Sequence, residues 1–310
     1  MRAAPVLMLG SFAVWACERP DAPRAAAPSD ADKPRPTEAA PSSTPAANWN
    51  APPVKLDVSA KAMGTEVRVI AFSNPNADEK QARAAIEAAI AEIRRLEDVM
   101  TTWRPSELQT LNDRSGEWVA VGPDSIDVLE KSLWAGKMSK GTFDITFASM
   151  NDLWKFGDAA EAAPKLPSRA EIDQRRQRVD YQKIELDRDG KRARIGKGQR
   201  IDVGGIAKGY AVDAAARVLR REKVTDFLVQ AGGDLFGSGK KPDGSPWVSG
   251  IRDPRGSATT FFATIELEDR AFSTAGDYAR SFVVGGKRYH HIIDPRTGWP
   301  ATACRRVTIW

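Results

Sequence analysis

The segment Asp202-Val203-Gly204-Gly205-Ile206-Ala207-Lys208-Gly209-Tyr210 concentrates the chemistry of this chain. Two adjacent glycines let a backbone approach a ligand closely and take up positive φ. The apolar period beginning at Ile206 predicts a helix to about Glu222. Its first turn would offer unpaired N–H groups and the positive end of the helix dipole to an anion. Lys208 falls in that turn, where a cation is unfavourable to the helix alone but sensible beside an anion such as a pyrophosphate. The glycine spacing matches neither a Walker A loop nor the dinucleotide fingerprint. On the residues alone, phosphate binding and a plain tight turn both stay open.

Two further constellations are less specific. Ala231-Gly232-Gly233-Asp234 follows an apolar strand pattern, and glycine pairs in that position usually only turn the chain. His290-His291-Ile292-Ile293-Asp294-Pro295-Arg296-Thr297-Gly298 places a histidine pair before a turn. Histidine titrates near neutrality and suits proton transfer, but a histidine pair on a strand also serves as surface or packing.

These segments must be held by a folded domain. Residues 55–72 alternate like strand, broken at Met63-Gly64-Thr65. Residues 78–100 carry Ala82, Ile86, Ile90, Ile93, Leu96 and Val99 at helical spacing. Shorter helices are expected at 105–112, 124–139 and 168–179. Residues 142–146 read as a strand and 151–157 as an aromatic loop. Residues 181–187 and 192–195 read as a hairpin across Asp189-Gly190. Further strands are expected at 227–230, 247–252, 259–267, 280–284, 288–293 and 306–310. Strands outnumber helices and hairpins join many of them, which predicts an α+β domain built on largely antiparallel sheets.

The domain begins near Val54. Before it, residues 6–16 form an apolar stretch too short to span a bilayer, read as a signal-peptide core over residues 1–16. It ends in Val14-Trp15-Ala16-Cys17, which looks like a bacterial lipobox with Cys17 as the acylated residue. Residues 17–53 hold nine prolines and ten alanines. Such a composition buries too little apolar surface to offset its ordering entropy and reads as a disordered tether. Anchor, tether and domain together predict a lipoprotein on the periplasmic face of a bacterial membrane.

Composition narrows the rest. No run of about 18 apolar residues is present, so no spanning helix is expected. Cys17 and Cys304 are too few for a disulfide scaffold, and His290 and His291 too few for a site of three histidines. The net charge of +5 comes without the dense basic stripe of a nucleic-acid binder, so no nucleic-acid partner is expected.

Taken in order, these motifs resemble the ApbE-like FAD:protein FMN transferases. The matching segments are Ala62-Met63-Gly64-Thr65, Met100-Thr101-Thr102-Trp103 with Ser106-Glu107-Leu108 and Leu111-Asn112, and Thr142-Phe143-Asp144-Ile145-Thr146. They continue through Leu153-Trp154-Lys155-Phe156-Gly157, the 202–210 loop, Ala231 to Asp234, Ser273-Thr274-Ala275-Gly276-Asp277-Tyr278, and His291 to Gly298. The resemblance implies an α+β fold with FAD in a cleft and Mg²⁺ at its pyrophosphate. It implies transfer of FMN to a threonine hydroxyl of an acceptor protein with release of AMP. Acceptors would be flavin-carrying subunits of membrane electron-transfer complexes. Two other activities belong to the same expectation: an FAD-binding lipoprotein without catalysis, and a pyrophosphatase that releases FMN and AMP.

The resemblance also assigns residues. Met63 and Trp103 match flavin-cleft positions; Thr142, Phe143, Asp144 and Ile293 match FAD contacts; Asp202 and Lys208 match FAD contacts on the phosphate loop. Gly205 matches a position whose carbonyl binds the metal. His291 is expected as general base on the attacking hydroxyl, with Lys208 sharing the catalytic work and Asp277 a weaker candidate base. In the family, the strand matching Val307 to Trp310 runs on into a segment whose aspartate and threonine also bind the metal. Here the sequence stops at Trp310, so the domain is expected to be incomplete at that end.

Overall fold

Alternation at residues 55–72 produces the first hairpin. Strands β1 (Lys55–Ala62) and β2 (Thr65–Phe72) pair antiparallel from Lys55↔Phe72 to Ala62↔Thr65. The two residues left between them, Met63 and Gly64, have φ of 53° and 65°. Two positive φ values in a two-residue hairpin turn match the twist of the flanking strands. The computed structural model describes residues 51–156, 164–253, 256, 260–277 and 280–310. The expected signal peptide, Cys17 and most of the tether lie outside the described residues, as do Gly157 and Tyr278.

Three strands extend this hairpin: β6 (Phe227–Ala231), β7 (Asp234–Ser238) and β10 (Arg270–Gly276). With β13 (Arg306–Ile309) they complete a six-stranded antiparallel sheet in the order β1-β2-β6-β7-β10-β13. Alternate residues face opposite layers. Val67, Val69, Ala71, Phe227 and Val229 join the main core with helices α1 (Glu79–Met100) and α5 (Ala207–Arg221). On the other face Leu228, Leu235 and Phe272 pack with Trp247, Ile251 and Leu267. These last three belong to the hairpin of β8 (Trp247–Arg252) and β9 (Phe261–Leu267).

Local signals set the helices. Asp78 and Gln81 form a capping box at the start of α1, which satisfies two otherwise orphaned amides. The buried stripe of α1 includes Ala82, Ala85 and Ala89, and that of α5 Ala211, Ala214 and Ala215. Small residues on both faces let the two helices pack closely. Ser106 caps α2 (Glu107–Asp113) and Ser168 caps α4 (Arg169–Arg176); α3 (Pro123–Met138) starts with proline, whose missing amide would be an orphan there. Tyr210 of α5 donates to Asp124 of α3 at 2.9 Å, and burial together with that carboxylate pushes its phenol above the usual range.

Two small sheets complete the chain: β3 (Val119–Ala120) with β5 (Arg192–Arg194) and β4 (Glu185–Asp187), and a hairpin of β11 (Ser281–Val284) and β12 (Lys287–His290). Beneath the second lies an aromatic cluster of Trp154, Phe282, Tyr289, Phe156 and Trp299. The α+β, antiparallel architecture is as the strand and hairpin pattern predicts.

Some boundaries differ. Residues 142–146 are not a strand. Asp144 accepts from the Thr146 amide at 2.8 Å, the Thr146 hydroxyl at 2.6 Å and the Tyr181 amide at 3.0 Å, which winds the chain into a 3-10 segment, Ile145–Met150. Residues 181–183 are a 3-10 turn, so that hairpin is shorter than expected.

Candidate active site

The β1–β2 and β6–β7 turns lie side by side. Ala231 pairs with Asp234, so Gly232-Gly233 is the β6–β7 hairpin turn, with Gly232 at φ 59°. A Cβ on Gly232 would stand 2.8 Å from Thr65 Oγ1, beside the Met63-Gly64 turn. A Cβ on Gly233 would stand 2.5 Å from the carbonyl oxygen of Thr274 in β10. Ala231-Gly232-Gly233-Asp234 is thus architecture: it closes a hairpin and packs it against the β1–β2 hairpin and β10.

The Gly204-Gly205 loop is different. Neither glycine has positive φ, contrary to the expectation from the glycine pair. Their use is close approach: a Cβ on Gly204 would be 2.9 Å from Asp202 Oδ1, and one on Gly205 3.1 Å from the Phe143 ring. The loop is pinned from several sides. The Asp202 amide donates to the Ile145 carbonyl at 3.0 Å, and Asp202 Oδ1 accepts from the Gly204 amide at 2.7 Å. Asn112, buried in α2, clasps Ile201 with both ends of its amide: Nδ2 donates to the carbonyl at 3.0 Å, and Oδ1 accepts from the amide at 2.7 Å. The structure thus adds Asn112, a matched residue with no role read from sequence; a polar side chain on an otherwise apolar helix face was its signal.

A cleft opens between this loop and the end of α1, lined by Met63, Glu97, Met100, Thr101, Thr102, Trp103, Asp202, Gly204 and Lys208 among others. Met63, Trp103, Asp202 and Lys208 therefore meet in one place, as the resemblance implies. Trp103 is 69% exposed, an unusual state for so large an apolar ring. Thr101 is buried, and its Oγ1 has no hydrogen-bond partner. An unsatisfied buried hydroxyl in a cleft wall costs about 1–3 kcal/mol unless a ligand meets it. Lys208 Nζ donates to the Gly204 carbonyl at 2.6 Å, folded over the loop.

The remaining expected residues are placed less uniformly. Phe143 is half-buried against Gly205, and Thr142 is exposed beside it. Asp144 is buried, and its three accepted hydrogen bonds hold its own loop, so its carboxylate faces inward rather than toward a ligand. Ile293 packs in the aromatic cluster and bridges Pro300. Asp277 is buried; Arg305 donates to its Oδ2 at 3.3 Å while Oδ1 has no partner.

His290 and His291 separate. Strand β12 ends at His290, which is buried with Nε2 on the Ala301 carbonyl at 2.7 Å. His291 follows the strand, half-buried. Its amide donates to the Arg280 carbonyl at 3.1 Å, and its Nδ1 lies 3.3 Å from the same oxygen. A carbonyl only accepts, which favours the tautomer with hydrogen on Nδ1 and a lone pair on Nε2. Burial holds its pKa below the usual histidine value, opposed by the hydrogen bond to the Arg280 carbonyl and helped by the charges of Arg280, His290 and Lys208. The next turn is fastened by Trp154, whose Nε1 donates to the Gly298 carbonyl at 3.0 Å. Gly298 sits at φ 73°, where a Cβ would lie 2.4 Å from Ile172.

The cleft suits a flavin dinucleotide in four respects: an exposed tryptophan, an orphaned hydroxyl, a closely approachable glycine loop and a lysine. For a metal, no group of three or more His, Cys, Asp or Glu side chains is gathered among the described residues. The exposed Gly205 carbonyl accepts no hydrogen bond from the described chain. It fits Mg²⁺ as one hard oxygen ligand, with phosphate and water oxygens supplying the others.

The sequence pattern of the ApbE family matches residues 63–310. A FAD:protein FMN transferase of Vibrio cholerae is 31% identical over 253 residues, covering 80% of this chain and 74% of that protein. One from Haemophilus influenzae is 29% identical over 254 residues, with 79% and 72% covered. The crystal structure of an ApbE protein from Thermotoga maritima matches with a TM-score of 0.73 and 33% identity, over 82% of this chain and 81% of that one. The flavin transferase ApbE from Vibrio cholerae gives 0.70 and 30%, over 83% and 82%. With its antiparallel α+β fold, its glycine loop and a family match spanning most of its length, the chain belongs to the ApbE family.

Proposed function

We propose that this chain is an FAD:protein FMN transferase that moves FMN from FAD to a threonine hydroxyl of an acceptor flavoprotein and releases AMP. The observation that carries the reading is the single cleft that joins Met63 and Trp103 to the Gly204–Lys208 loop. One end offers a ring for stacking and the other the start of α5 and a lysine for phosphate.

In this reading the hydroxyl oxygen of the acceptor forms a bond to the flavin-bearing phosphorus. The bond from that phosphorus to the bridging oxygen breaks, and AMP leaves with the electron pair. His291 Nε2 takes the hydroxyl proton. Lys208 leaves the Gly204 carbonyl to meet the pyrophosphate, and the helix amides share the charge. Mg²⁺, held at the Gly205 carbonyl, would neutralise phosphate charge and improve the leaving group.

The setting is part of the proposal. The Val14 to Cys17 motif and the proline-rich segment after it support a lipid anchor at Cys17 and a tether on the periplasmic face, within reach of membrane electron-transfer subunits. Labelled fatty acid should enter the chain and be lost in Cys17→Ala; equal labelling of both would overturn the anchor.

The activity is tested by mixing the full chain with FAD, Mg²⁺ and an acceptor flavoprotein and following intact mass. The expected result is one FMN-sized addition on a threonine, abolished by chelation and reduced roughly 100- to 10,000-fold in His291→Ala. FAD bound but returned intact would overturn transfer in favour of binding alone. Free FMN and AMP without a labelled acceptor would overturn it in favour of a pyrophosphatase.

A further inference from the structure

Arg280 is not among the residues that the resemblance assigns, yet the structure brings it from a separate part of the chain to the Met63-Gly64 turn at the edge of the cleft. It precedes β11, and its carbonyl holds both the amide and Nδ1 of His291. Its guanidinium reaches the other way, to the β1–β2 turn: Nη2 would lie 3.8 Å from a Cβ built on Gly64. Gly64 is next to Met63, which lines the cleft with Lys208. One residue thus connects the candidate base and the flavin-side turn.

The guanidinium is also unspent. Arg280 is exposed, and no carboxylate among the described residues pairs with it, whereas the nearby Arg296 and Arg305 are bound to Asp294 and Asp277. The charges of Arg280 and Lys208 both act on the His291 imidazole, so the field there is cationic. A planar fork of N–H donors matches the tetrahedral oxygens of a phosphoryl group.

We propose that Arg280 binds the phosphoryl group that is transferred, gripping its non-bridging oxygens between the Met63-Gly64 turn and His291, while Lys208 holds the departing side of the pyrophosphate. The inference rests on the flavin-transfer reading. Charge on the transferred phosphoryl oxygens must be met as the bond to the acceptor oxygen forms and the bond to AMP breaks. Arg280 supplies two donors there, and its main chain fixes His291 one step from the incoming hydroxyl. Acceptor proton, base and phosphoryl oxygens are then set by one residue.

The test uses the full chain carrying Arg280→Gln or Arg280→Lys, with two readouts. The first is transfer to the acceptor. Arg280→Gln should lower kcat by roughly 100-fold, the scale of removing one preorganised donor from a developing charge, with KM for FAD changed much less. Arg280→Lys should recover only part, because an ammonium lacks the fork. Added guanidinium ion should partly rescue Arg280→Gln, which a folding defect would not allow. The second readout is equilibrium binding of FMN and of riboflavin, followed by flavin fluorescence. The wild-type preference for FMN should shrink by about 10-fold or more in Arg280→Gln, as expected for a lost charge-assisted hydrogen bond.

A kcat within threefold of wild type in Arg280→Gln overturns the proposal. So does an unchanged FMN-to-riboflavin preference. If the wild-type chain transfers nothing, the reading of function fails, and the binding preference still decides whether Arg280 meets the phosphate.

Discussion

Gly204-Gly205 and Gly232-Gly233 each follow an apolar stretch, and each was a candidate ligand loop on sequence grounds. The structure gives them opposite uses. Gly232 takes a positive φ and closes the β6–β7 hairpin, with Gly233 pressed against the Thr274 backbone. Gly204 and Gly205 take ordinary φ, stand exposed at the start of α5, and leave the cleft open above them. What differs is the continuation. After Gly233 the chain alternates and pairs with β6. After Gly205 it follows a 3.6-residue period and winds into a helix; the Ile206 and Ala207 amides donate to the Val203 carbonyl, and those of Lys208 and Gly209 are left without a backbone partner among the described residues. A glycine pair carries function here where the next element leaves backbone donors unpaired, and architecture where the next element consumes them.

The contrast predicts that substitutions should separate activity from stability. Among the glycine-loop substitutions the largest effect belongs to Lys208→Ala. Transfer of FMN should fall roughly 100- to 1,000-fold while the melting temperature holds, since Lys208 bonds only its own loop. A large loss of stability with it would place the lysine among structural residues and erase the contrast.

Gly233→Ala should do the reverse. Its Cβ would be 2.5 Å from a backbone oxygen that cannot rotate away. A loss of about 2–3 kcal/mol in denaturant unfolding is expected, with activity per folded molecule largely kept. Gly205→Ala sharpens the comparison: its φ suits alanine and its neighbour is a movable ring edge. Stability should change by less than about 1 kcal/mol, with transfer reduced as Phe143 shifts.

Trp103→Ala should weaken FAD binding by about 10-fold, the scale of one aromatic stacking contact, and leave unfolding unchanged because the ring is already exposed. Fluorescence titration and thermal melts would separate the two.

The smallest expected effect is in pH. His291 acts as a base when neutral, and burial with nearby positive charge lowers its pKa. The acidic limb of kcat/KM should therefore lie below the ordinary histidine value of about 6.5, and activity should persist as pH falls through that point. In Arg280→Gln, where one of those charges is gone, the limb should move up. A limb at or above the ordinary value in wild type would remove His291 from the role.

Local chemistry in the sequence determined much of this protein. The capping box of Asp78 and Gln81, the serine caps and the 3.6-residue stripes act within a few residues, so helices α1, α2, α4 and α5 were legible with small boundary errors. The Met63-Gly64 break and the 202–210 loop were legible for the same reason. Strands β7 and β10 were not announced by their composition. Each contains glycine, and each forms because a neighbouring strand supplies its hydrogen bonds. The expected strand at 142–146 failed because Asp144 is claimed by Tyr181, 37 residues away. Tertiary structure alone decided the site's assembly. Asn112 meets Ile201 across 89 residues, Thr101 is buried without a partner in the cleft wall, and Arg280 reaches the Gly64 turn. Caps and periods are contacts between near neighbours and can be read from residue types, whereas a cleft is made of contacts whose partners only the folded chain brings together.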